Sequence, residues 1–94
     1  MPRITVYFFE FDDKNTDHIA RHGVDPDEIE QISGNDYVTA RNKHDPENRV
    51  RMIGQTNGGR TLTVVLEATR DDVIWRPVTA WDSTSEERGL LNAD

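Results

Sequence analysis

The chain has no cysteine. That removes disulfides, thiolate nucleophiles and thiolate metal ligands together. No apolar run approaches the ~18 residues needed to cross a bilayer. The opening MPRITVYFFEF becomes charged too early for a secretory leader. These features lead us to expect a cytoplasmic protein without membrane contact. Cations are in the minority, with 11 Lys and Arg against 18 Asp and Glu and a net charge of −7. Phosphate binding requires clustered Lys and Arg to displace counterions. A nucleic-acid site here must therefore be a local patch working against the field of the whole molecule. Repeats, linkers and low-complexity tracts are missing too, so residues 1–94 read as a single domain.

Apolar residues are sparse and mostly β-branched, with fourteen Val and Ile against four Leu. This favours a thin core built on a sheet. Ile4 to Phe9 is β-branched and aromatic, apolar on both faces, and reads as a buried or central strand. Asp12 then offers an N-cap, and Gly23 a left-handed stop after His22. A short helix between them should bury Thr16, Ile19, Ala20 and Gly23. The string Asp25-Pro26-Asp27-Glu28 is a capping box with proline at the first helical position. It starts a second helix, which buries Ile29 and Ile32 and ends at Ser33-Gly34.

Four strands follow. Tyr37 to Arg41 is separated by a polar turn from Arg49 to Thr56. Asn57-Gly58-Gly59 is a hairpin turn leading to Thr61 to Ala68, with Leu62, Val64 and Leu66 inward. The last strand is Val73 to Trp81. Pro77 inside it cannot donate to a ladder, which predicts an edge or a bulge there. Regular alternation sets Trp75 and Trp81 on one face. Ser83-Thr84-Ser85-Glu86 reads as a further capping box, with a helix from Thr84 to Leu91. The order is strand, two short helices, a four-stranded antiparallel meander and a C-terminal helix. This is an α+β fold of two layers.

The most specific stretch is FDDKNTDHIARHGV, Phe11 to Val24. It resembles the opening of BrnT-like toxins, which show a Trp-Asp start, then His or Asn, then a basic residue followed by His-Gly. The matching positions are Phe11-Asp12, His18, Arg21, His22 and Gly23. The likeness continues through Asp25 to Glu30, resumes from Arg49 to Glu67, and closes at Val78-Thr79-Ala80-Trp81 and Glu86. The resemblance implies a RelE-like fold and the toxin of a type II toxin–antitoxin system. Such a toxin is an endoribonuclease that inhibits translation and is neutralised by a cognate antitoxin. DNA is reached only indirectly, through the antitoxin, in a hetero-oligomer. The chain departs from the pattern at Phe11, where the family has Trp. It departs again at Trp81 and at Asp82 to Glu87, where the family is usually basic.

Metal-independent RNA cleavage needs a base for the 2′-hydroxyl, an acid for the leaving 5′-oxygen and cations on the phosphate. No cofactor enters this scheme. His18 and His22 stand one helical turn apart beside Arg21, and histidine suits both proton roles. With Arg76 they form the catalytic candidates. Arg21, Arg41, Arg49, Arg51 and Trp81 are the candidate RNA contacts, the last by stacking on a base. Blander readings stand beside these. The histidines pack and cap a helix edge, the strand arginines pair with surface carboxylates, and the tryptophans belong to the core. Glu86 either caps its helix or serves as an acid. The histidine spacing also suits a metal, but no Glu follows His18 and no third ligand is evident. The alternative function is a catalytically degenerate relative that binds a partner protein.

Overall fold

The computed structural model describes residues 8–92. Eight elements follow one another: β1 (Phe8–Phe9), α1 (Asp13–Arg21), α2 (Pro26–Gly34), β2 (Tyr37–Arg41), β3 (Arg49–Gln55), β4 (Thr61–Ala68), β5 (Ile74–Asp82) and α3 (Ser85–Asn92). The strands form one sheet in the order β1-β5-β4-β3-β2. β2 to β5 are an antiparallel meander, and β1 joins the outer side of β5 in parallel. The α+β class and the element order are those expected from the sequence.

Local chemistry explains both early helices. Asp12 caps α1 by accepting from the Asn15 backbone N–H at 2.9 Å, and the Asn15 side chain accepts from the Asp12 N–H at 2.8 Å. Gly23 ends the helix at φ 73°, in the left-handed region. Asp25 and Glu28 form the second capping box, with Pro26 opening α2. The buried positions of α1 are Asn15 and Ile19, and Ala20 is exposed. Asn15 goes inward because each of its polar groups is used. Its Nδ2 donates to the Glu10 carbonyl at 2.9 Å, while its Oδ1 completes the cap.

The main core lies under α1 and α2. Tyr37, Met52, Leu62, Val64, Leu66 and Ala80 from the sheet meet Ile19, Val24, Ile29 and Ile32. At Gly54 an added Cβ would stand 2.5 Å from Ile32 Cγ2, so the glycine is what lets α2 approach β3 this closely. The reverse face carries the alternate row of Arg51, Ile53, Thr63, Val65 and Trp81. α3 packs there, through Glu87 onto Arg51 and Trp81. The helices are thus divided, with α1 and α2 forming the layer over one face and α3 closing part of the other.

Three local expectations change. β1 is an edge strand rather than a central one, and Phe8 is 64% exposed. Of the expected strand, residues 4–7 lie outside the described residues. The cap of α3 falls one residue later than Ser83 to Glu86: Glu87 N–H donates to Thr84 Oγ1 at 3.2 Å, and Thr84 N–H to Glu87 Oε1 at 3.0 Å. Ser83 instead meets Thr63 at 2.8 Å between the two hydroxyls. The two tryptophans also part company. Val65 pairs with Thr79 but Leu66 with Pro77, so Val78 is an extra residue and β5 carries a bulge at the proline. One added residue reverses the alternation beyond it. Trp75 packs against the helix-side core, and Trp81 stays on the face of α3.

Candidate active site: a cationic pocket between α1 and the sheet

The bulge in β5 also decides where Arg76 stands. Unbroken pairing would set Pro77 opposite Glu67; the observed register sets Arg76 there. Glu67 pairs in turn with Arg49. Arg49, Glu67 and Arg76 therefore form one charged row across three strands, with the carboxylate in the middle. Arg49 donates through Nε to Glu67 Oε2 at 3.0 Å, and its Nη2 lies 2.9 Å from the same oxygen.

α1 packs against β5 and brings a second set of groups to this row. Lys14, His18 and Arg21 follow the i, i+4, i+7 spacing and share one helix face. By the alternation of β3 and β4 the row lies on the face of Arg51 and Val65, and it shares with α1 the lining of a pocket of about 400 Å³, formed by Lys14, Asn15, His18, Arg21, Arg49, Glu67, Arg76 and Val78. Four cations face one carboxylate within that lining. In a chain of net charge −7 this is a local reversal of sign.

The cations differ in their partners. Arg76 bonds to the second oxygen of Asp12 and stands 3.5 Å from Glu10. The Arg76 guanidinium, followed by the Asn15 N–H, holds the Asp12 carboxyl down to about 2; Asp12 in turn raises Arg76. Arg49 is shared with Glu67. Lys14, His18 and Arg21 are exposed along the helix. The ring of His22 is centred 5.4 Å from that of His18, tilted by 57°. His22 is also exposed, so neither imidazole is buried as a packing group.

Of the residues singled out from sequence, His18, Arg21, Arg49 and Arg76 meet at this pocket, whereas His22 is not part of its lining and is linked to it only by its ring contact with His18. Arg51 and Trp81 are gathered elsewhere. Both donate to Glu87, Arg51 Nη1 to Oε2 and Trp81 Nε1 to Oε1, each at 2.9 Å. Burial opposes ionisation of Glu87, but the Thr84 N–H, Trp81 and Arg51 outweigh it and hold the carboxyl down to about 2. Glu86, the neighbour singled out from sequence, is exposed. Arg41 is exposed at the end of β2, where its carbonyl accepts from Arg51 Nε at 3.1 Å.

Lys14 and Glu67 escaped the sequence reading. Lys14 carried a usable signal, since it sits one turn before His18 on the same face. Glu67 became visible only with the β3–β4 register. Arg60 was missed as well. It donates to Asp82 at 2.7 Å, to Glu28 at 3.1 Å and to the Gly23 carbonyl at 2.8 Å, and so ties the α1–α2 junction to the sheet. No cluster of three or more His, Cys, Asp or Glu suited to a metal occurs among the described residues.

In this small α+β protein a helix bearing histidine and cations stands beside a row of sheet arginines, an arrangement whose charge can attract a polyanion. The particular kind follows from comparison with known families. The model described as the ribonuclease toxin BrnT of type II toxin–antitoxin systems matches residues 11–87, and the chain belongs to that family. A search of curated proteins found no match. The family implies an RNA target and an antitoxin partner. No helix among the described residues is long and apolar enough to cross a membrane.

Proposed function

We propose that this toxin cuts RNA in the pocket between α1 and the Arg49–Glu67–Arg76 row. The observation that carries the proposal is the lining itself, where four cations and an imidazole converge in an otherwise acidic protein. An RNA phosphate entering there would be held by Arg76 and Arg49, with Lys14 and Arg21 on the adjoining backbone. His18 takes the proton from the 2′-hydroxyl as that oxygen attacks phosphorus. The bond to the 5′-oxygen breaks, and His22 supplies the proton that this oxygen needs. The products are a 2′,3′-cyclic phosphate and a free 5′-hydroxyl. Arg41 reaches a phosphate further along the strand. Arg51 and Trp81 serve chiefly to hold α3.

In this reading residues 1–94 act as one domain in the cytoplasm, where cleavage inhibits translation. A cognate antitoxin covers the pocket in a hetero-oligomer, and DNA is bound through the antitoxin alone. The test is RNA integrity over time with purified protein at low salt, with and without EDTA. Cleavage that persists in EDTA supports proton transfer by the histidines. Cleavage lost with EDTA would contradict this mechanism and assign the histidine pair to a metal. Intact RNA in both conditions, from protein shown to be folded, would overturn free nuclease activity and favour a partner-binding role.

A further inference from the structure

Asp12 does more than a helix cap requires. One carboxylate oxygen, Oδ1, accepts from the Asn15 N–H and fulfils the cap. The other, Oδ2, accepts from Arg76 Nη1, 64 residues away in the chain. The two bonds join the first turn of α1 to the strand that carries the sheet arginine. The Asp12 N–H is fixed by Asn15 Oδ1, Asn15 Nδ2 by the Glu10 carbonyl, and the Glu10 N–H by the Trp75 carbonyl at 2.9 Å. This loop of bonds begins and ends on β5, one residue from Arg76. His18 lies on the same helix, six residues or about one and two-thirds turns beyond the cap.

Resting on the active-site reading above, we infer that Asp12 is a positioning residue, which sets Arg76 against His18 by capping α1 and clamping the guanidinium with the same carboxylate. A second consequence follows from charge. Asp12 neutralises part of Arg76 before RNA arrives, so it aligns the arginine at some cost in phosphate attraction. Position and attraction then respond in opposite directions when the carboxylate is removed.

Asn is as good an N-cap as Asp. Asp12→Asn therefore keeps the cap and loses the clamp, because its amide N–H2 faces a guanidinium that also only donates. Asp12→Ser keeps the cap with no such conflict and guards against a folding defect peculiar to Asn. Cleavage of a long transcript of mixed sequence is measured for both variants, alone and combined with Arg76→Lys, alongside thermal midpoints. We expect kcat to fall about tenfold or more, KM for RNA to stay level or drop, and the midpoint to move by only a few degrees. In the Arg76→Lys background the further loss should shrink to less than about twofold, since residues acting as one unit are not additive. Undiminished kcat in both capped variants would overturn the inference. So would an equal loss in both backgrounds. His18→Ala and Arg76→Ala separate the two levels. If they cleave like the parent, the site reading fails and the inference with it. If they are inactive while Asp12→Asn is fully active, the inference alone fails.

Discussion

Glu87 is the one carboxylate among the described residues that the fold buries. It tolerates burial because its oxygens receive Trp81, Arg51 and the Thr84 N–H. Removing one member of such a buried set leaves the others without a partner and costs about 3 kcal/mol or more. Glu87→Ala should therefore lower the thermal midpoint strongly, and more than Glu86→Ala, whose side chain is exposed. The pH dependence follows from the depressed folded value. Glu87 is held at about 2 against an ordinary 4.5, so its contribution is complete above pH 4.5 and is lost as the pH falls toward 2. The acid limb of the stability profile should be flatter in Glu87→Gln than in the parent. An unchanged limb would mean that other carboxylates set it. Sequence spacing alone makes Glu86 the acid of this cap, paired with Ser83. Ser83 and Thr84 are both good caps, and only the pairing of Ser83 with Thr63 decides between them.

α1 is the element on which the site depends, and most of it was readable. Capping boxes and the glycine stop are chemistry between neighbours in the chain, so Asp12, Gly23 and the Asp25 to Glu28 box were all legible. The inward turn of Asn15 was not, because its partner is the Glu10 carbonyl ahead of the helix. Asn15→Ala removes both the reciprocal cap bond and this one. It should destabilise the protein by about 1–2 kcal/mol in chemical denaturation. Activity should fall with it, because the same turn carries Lys14 and His18. A stability equal to the parent's would show that the Glu10–Asn15–Asp12 chain contributes little. β5 shows the opposite case. Pro77 announced a bulge, yet its effect on Trp75, Trp81 and Arg76 needed the pairing partners. Alternation is counted along a strand, and one extra residue changes every later face. The edge position of β1 was equally hidden, since the apolar string ending in Phe8 and Phe9 gives no hint that Phe8 faces solvent.

The molecule as a whole is acidic, while its proposed site is not. Two of the four pocket arginines and lysines, Arg49 and Arg76, are already engaged by carboxylates of the protein. RNA binding should therefore depend on only a few phosphates. For single strands each neutralised phosphate adds roughly −0.7 to the slope of log K against log salt. Two to four contacts predict a slope of about −1.4 to −2.8. A much steeper slope would point to a broad basic surface outside this pocket. An antitoxin that covers the pocket and also reaches the acidic remainder of the surface would need cations of its own there, and its association would then slow as salt rises.

The most direct test of the account is the cleavage rate of His18→Ala against the parent, on one RNA, with both proteins shown to be folded. His18 is exposed, so its loss should leave stability within about 0.5 kcal/mol of the parent. If His18 moves the proton, the rate falls roughly 10²-fold or more, the ordinary range for losing such a group. Equal rates in two equally stable proteins would contradict it and move the chemistry out of the pocket between α1 and the sheet.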